Sequence, residues 1–244
     1  RGLAPAYTGH SKRKGGSGMI KLALWGDSIG RAVGFDEGRG RYAVIKPNYQ
    51  EMLLEDQTVD ILNHARFGAT LSEGLADFAD SPDTPAQAVA IQFGGNDCNM
   101  DWAAVSEDPS RPHSPKVPIE AFEKGLHQFV RLVRQRGKTP ILVSPPPLEA
   151  QRFFAWVSKG LDPQVILRFL GDVQHIYRWQ ERYATAVYRT ARLTRCRLFD
   201  LRDAFLAADD FPDCLCVDGM HPNGKGQQLI AQAVRQALPG LRLS

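Results

Sequence analysis

Five short apolar runs, Ile20 to Trp25, Val59 to Leu62, Ala88 to Phe93, Pro140 to Val143 and Cys196 to Phe199, recur along this chain at intervals long enough to hold helices. Runs this short and this uniformly apolar suit strands covered on both faces, the state of a parallel sheet between helical layers. The segments between them carry helical spacing. Phe122, Leu126, Phe129, Val130 and Val133 fall on one face, as do Val173, Ile176, Tyr177, Tyr183, Val187 and Ala191, while Leu229, Ile230, Val234 and Leu238 make a closing helix. Strand and helix in alternation predict an α/β fold with a parallel sheet, its right-handed crossovers placing helices on both faces. Asn99 to Pro118 and Ser144 to Gly160 read as longer irregular stretches over one sheet edge.

A chain of 244 residues can bury one substantial core, and nothing in it calls for two. Residues 1 to 18 hold five glycines, no apolar periodicity and the four cations Arg1, Lys12, Arg13 and Lys14. They read as an added or disordered leader, leaving 19 to 244 as a single domain. Without those four cations the formal charge falls from +3 to −1, so the basic cluster reads as a solvated tail and no nucleic-acid partner is expected. No run reaches the roughly 18 apolar residues that a bilayer requires, so no membrane partner is expected and the chain reads as cytoplasmic. The cysteines Cys98, Cys196, Cys214 and Cys216 are too sparse for a disulfide scaffold, and the last two are spaced wrongly for a zinc pair. Idle thiols and no metal are expected.

In parallel α/β sheets the ligand crevice lies at the carboxyl ends of the strands. Gly26-Asp27-Ser28-Ile29-Gly30 follows the first run, Gly68 the second, Phe93-Gly94-Gly95-Asn96-Asp97 the third, and Pro145 to Pro147 the fourth. A serine hydroxyl needs an imidazole to take its proton, and the tetrahedral intermediate of acyl transfer needs donors for its oxyanion. His221, in Asp218-Gly219-Met220-His221-Pro222, is the candidate base, with Asp218 three residues upstream to orient it. An Asp-x-x-His pair is common by itself, but Pro222, Asn223 and Gly224 place this one in a loop leading into the last helix. The backbone N–H groups of Ser28 and Gly68 and the Asn96 amide are the candidate oxyanion donors. Asp27 is expected to brace the Ser28 turn, and His64, His113 and His175 to be structural.

Residues 26 to 30 also satisfy the Gly-x-Ser-x-Gly elbow of α/β hydrolases. Against that fold stand a serine after the first strand, an acid and histidine three residues apart, and a short chain. The pattern resembles the SGNH or GDSL hydrolase superfamily, whose four blocks centre on a serine, a glycine, an asparagine and a histidine. The matches are Ser28 in Gly-Asp-Ser, Gly68, Asn96 in Gly-Gly-Asn-Asp, and Asp218 with His221 in Asp-Gly-Met-His-Pro; Ile29 stands where the family name has leucine. The resemblance implies a flavodoxin-like three-layer α/β/α sandwich with a five-stranded parallel sheet. It also implies a cofactor-free serine esterase, with Ser28 attacking, His221 moving the proton and Asp218 orienting it.

The substrate is written less plainly. Trp102, Phe153, Phe154, Trp156, Tyr177 and Trp179 cluster in or near the two irregular stretches, and Trp102, Phe153 and Trp156 are the candidate substrate contacts. With no extended apolar lid in sight, small water-soluble esters are expected, above all O-acetyl groups on carbohydrates. Longer acyl chains, as in a lysophospholipase or thioesterase, are the alternative. A binding protein on the same fold is the alternative of another class, though Ser28, Asn96 and His221 are all present. A nucleotide-binding flavodoxin-like protein would have Asp27 repelling its phosphate. A homo-oligomer is allowed.

Overall fold

A computed structural model describes residues 19 to 240 of the chain. The leader expected over residues 1 to 18 lies outside the described residues.

All five apolar runs are strands of one parallel sheet: β1 (Ile20–Gly26), with β4 (Val59–Asn63) on one side and β5 (Ala88–Gln92), β6 (Thr139–Val143) and β7 (Arg197–Phe199) on the other. Successive side chains point to opposite faces, and each face has its own core. Ala23 and Trp25 of β1 join Val89, Ile91 and Leu142 under helices α2 (Leu71–Asp80), α4 (Ile119–Gln135) and α7 (Gln174–Thr194). Leu24, Ala90 and Val143 face the other way, onto α1 (Tyr49–Glu55), α8 (Leu201–Leu206) and α9 (Gly224–Ala237). The result is the three-layer α/β/α sandwich that the run spacing and the resemblance predicted.

The two stretches expected to be irregular each contain a helix, α3 (Trp102–Glu107) and α5 (Ala150–Val157), and α6 (Pro163–Leu170) follows the second. Six to eight residues are too few to display a period. They are also too few to form a stable helix alone, so capping and packing hold them. Asp101, Glu149 and Asp162 each accept backbone N–H groups of the first turn. Val105, Phe153, Ile166 and Ile176 then join in a third apolar cluster, separate from the two that flank the sheet. The sequence reading also missed an antiparallel hairpin, β2 (Val33–Asp36) with β3 (Arg41–Val44), in which Phe35 lies opposite Tyr42. Strands of four residues with charged ends give little alternation, and tertiary contacts hold this one in place.

Candidate active site

The first strand ends at a glycine because nothing else fits: a Cβ at Gly26 would lie 2.9 Å from both the carbonyl and the side-chain oxygen of Gln92. The chain then turns tightly. Asp27 Oδ1 accepts the Ile29 N–H at 2.9 Å, the Asp27 carbonyl accepts the Arg31 N–H at 3.0 Å, and the Ser28 carbonyl accepts the Val33 N–H at 2.9 Å. Asp27 therefore braces the turn as expected, and burial pushes its carboxyl up to about 6. Ser28 sits at the floor of the crevice, 4% exposed.

His221 arrives from the opposite end of the chain, in the loop that enters α9. Asn223 caps that helix by accepting the Lys225 and Gly226 N–H groups, while its own amide donates to the carbonyls of Asp213 and Leu215. The loop is thereby tied down on both sides of Pro222. Asp218 Oδ1 accepts the backbone N–H groups of Met220 and His221 at 3.0 and 3.1 Å, and its Oδ2 lies 2.6 Å from His221 Nδ1. His221 Nε2 lies 2.8 Å from Ser28 Oγ. Serine, imidazole and carboxylate thus form one continuous buried relay. Burial opposes the charge on Asp218, but the His221 hydrogen bond and charge outweigh it and hold the carboxyl below its ordinary value. At neutral pH the carboxylate is ionised, which places the imidazole proton on Nδ1 and leaves the Nε2 lone pair for the serine.

Between Asp218 and His221 the chain passes through Gly219 at φ +70°, where a Cβ would lie 2.7 Å from the Glu149 carbonyl oxygen. Both constraints exclude a side chain. Gly219→Ala is expected to cost about 1 to 3 kcal/mol of stability and to dislodge the Asp218 to His221 turn. Urea denaturation and esterase assay of the same preparation check both effects.

Gly68 and Asn96 come from beyond the ends of β4 and β5, the two strands that flank β1. Gly68 takes φ +76°, open to glycine, and its loop meets Asn96 directly, the Asn96 amide donating one hydrogen to the Ala69 carbonyl at 3.1 Å. Its other amide hydrogen has no partner among the described residues. Asp97 fixes this junction. Wholly buried, it accepts the Leu71 N–H at the start of α2 at 2.8 Å and the Gly94 N–H at 3.0 Å, while burial, aided by the charge of Asp27, pushes its carboxyl up to about 7. Beside Ser28 a small pocket is walled by Ile29, Gly95, Pro145, Pro146 and Met220 and spans about 310 Å³, open solvent included. Among the described residues no group of three His, Cys, Asp or Glu side chains is arranged to hold a metal ion. The four thiols are unpaired.

The GDSL-like lipase/acylhydrolase family model matches residues 24 to 229. The chain belongs to this family. A lipase/acylhydrolase from Enterococcus faecalis superposes with a TM-score of 0.64 at 18% identity, over 91% of this chain and 96% of that one. An alpha/beta hydrolase enzyme from the metagenome of Lake Arreo, Spain, gives 0.62 at 24%, over 91% and 96%. A catalytic mutant of an acetylxylan esterase from Geobacillus stearothermophilus gives 0.61 at 19%, over 89% and 93%. These likenesses establish the fold. No curated protein sequence matches the chain. No helix among the described residues is long and apolar enough to cross a membrane.

In this member of the GDSL-like family the aromatic residues divide into two groups. Phe153 is 5% exposed within the third apolar cluster, and the Trp102 indole N–H donates to Asn99 Oδ1 at 2.8 Å, so both sit behind the crevice rather than on its open wall. Trp156 faces the hairpin instead, its ring 4.6 Å from that of Phe35 and 6.1 Å from that of Tyr42. The open wall is built from residues the sequence reading passed over. The Tyr42 ring lies 5.0 Å from that of His221, and the Phe67 ring stacks 6.3 Å from it at 19°. The Tyr42 hydroxyl also donates to Asp218 Oδ2 at 3.0 Å, the same oxygen that faces His221. No local motif marks Tyr42, because its partner is distant in sequence and the hairpin that carries it was not foreseen. Burial and the Asp218 charge push the Tyr42 phenol up, so it stays a donor.

Proposed function

We propose that this protein is a serine esterase that hydrolyses small carboxylic esters, O-acetyl groups on carbohydrates foremost, through an acyl-enzyme. The observation that carries the reading is the relay from Ser28 through His221 to Asp218, set beside a small pocket bounded by Ile29, Pro145, Pro146 and Met220. Ser28 Oγ attacks the ester carbonyl as His221 Nε2 takes its proton, and Asp218 stabilises the imidazolium that forms. The Ser28 N–H, the Gly68 N–H and the free Asn96 amide hydrogen receive the charge that develops on the carbonyl oxygen. His221 then delivers its proton to the departing alcohol and removes one from the water that frees the acyl group. Tyr42 supports this cycle through Asp218, by fixing the carboxylate and sharing its charge.

Tyr42→Phe is expected to lower kcat/KM about tenfold, the worth of one hydrogen bond to a charged group. With that donor gone, Asp218 is held less firmly against the imidazole, so the loss should fall on kcat with KM nearly unchanged. A loss carried by KM instead would mean that Tyr42 serves as packing alone.

One observation favours a second reading with longer acyl chains. Behind the acyl pocket lies an apolar cavity lined by Met100, Trp102, Leu148, Phe153, Ile176 and Trp179, and it shares Gly95, Gln180 and Met220 with that pocket. Hydrolysis of p-nitrophenyl acetate and p-nitrophenyl octanoate, with Ser28→Ala as background, separates the two readings. A serine-dependent preference for acetate supports the deacetylase, and a preference for octanoate transfers the assignment to longer acyl esters. Cleavage of neither would favour a binding protein on this fold or a very selective alcohol site.

A further inference from the structure

The imidazole that protonates the departing alcohol is flanked on its open side by Tyr42 and Phe67, and both line a groove that runs between the β2–β3 hairpin and the loop after β4. This open groove spans about 1040 Å³, open solvent included, against about 310 Å³ counted in the same way for the pocket beside Ser28. The groove has room for the larger part of an ester. The charge of the lining is one-sided: Arg31 and Arg66 contribute to it, and no Asp or Glu does. The basic side chains of the groove, His64 among them, are not equivalent. Arg66 is paired with Asp77 at 2.6 Å, and the His64 ring is stacked on Trp25 at 4.1 Å, with burial lowering its pKa so that it is neutral at pH 7. Asn63 is committed on both sides, its amide to the Gly30 carbonyl and its oxygen to the Ala65 N–H. Arg31, three residues beyond Ser28, has an exposed guanidinium with no acidic or hydrogen-bonding partner among the described residues. The groove also leaves Phe67 57% exposed, a large apolar ring presented to solvent beside the imidazole.

We infer that this groove binds the alcohol part of the ester and that the alcohol is an anionic saccharide, its ring against Phe67 and Tyr42 and its carboxylate or phosphate on Arg31. A planar guanidinium suits either group through paired N–H donors, and sugar rings stack on exposed aromatic faces. The inference rests on the esterase reading and names the substrate class for it.

The test compares kcat/KM for three acetylated methyl glycosides, of glucose, glucuronic acid and glucose 6-phosphate, each divided by the value for p-nitrophenyl acetate with the same enzyme. At least one anionic ester should exceed the neutral one by roughly three- to tenfold at low salt, and the advantage should shrink as salt is raised. Whichever anion gains more identifies the group that Arg31 reads. Arg31→Gln should bring the anionic-to-neutral ratio close to one, and Arg31→Lys, which keeps the charge but loses the paired donors, should retain only part of it. Equal rates on all three sugars, or a ratio that survives Arg31→Gln, would overturn the inference while leaving the esterase intact. If p-nitrophenyl acetate is not hydrolysed in a Ser28-dependent way, the esterase reading itself fails and the groove assignment falls with it.

Discussion

Ser28→Ala should remove nearly all esterase activity, about four to six orders of magnitude in kcat, the scale of loss when a nucleophile is deleted from a triad. It should do so in a protein that is still folded. The substitution deletes one oxygen from a buried turn whose hydrogen bonds are made by its neighbours, Asp27 Oδ1 to the Ile29 N–H and the Ser28 carbonyl to the Val33 N–H. Circular dichroism and a thermal midpoint near that of the wild type, alongside the lost rate, are the expected result. Retention of full activity would remove Ser28 from the mechanism.

Asn96→Ala should lower kcat by about 10² to 10³, the effect of losing one preorganised oxyanion donor, with KM changed far less because that donor acts on charge that develops only in the transition state. Asn96 also donates to the Ala69 carbonyl, so its removal loosens the junction with the Gly68 loop. Asn96→Asp separates the two contributions. It keeps the size of the side chain but places negative charge where the oxyanion forms, so it should be at least as inactive as the alanine variant. If Asn96→Asp retained wild-type turnover, the side chain would be only a brace.

The sheet was legible because each of its strands is a short apolar run between periodic helices, and buried parallel strands have no other way to appear. The Ser28, Asn96 and His221 segments were legible for a related reason: turns at strand ends draw on few residue types, and Gly-Asp-Ser, Gly-Gly-Asn-Asp and Asp-Gly-Met-His-Pro are dense in them. Tyr42 and Phe67 were not. Their significance lies in being near His221, which only the folded hairpin and the β4 loop create, and aromatic residues on short exposed segments carry no periodic signal. The same limit affected Phe153 and Trp102. Composition marked them as aromatic residues near the crevice, and only packing shows that they sit behind it.

The hydrogen bond between Ser28 and His221 joins residues 193 positions apart. The nucleophile leaves the first strand of the sheet, and its base is fixed by the cap of the last long helix, so no turnover is feasible until that strand and that cap have come together. In refolding from denaturant, recovery of ester cleavage should trail recovery of helical signal, because the sheet and its flanking layers can gather before the two ends meet. A colorimetric ester would then report closure of the entire fold, a readout that few single spectroscopic probes supply.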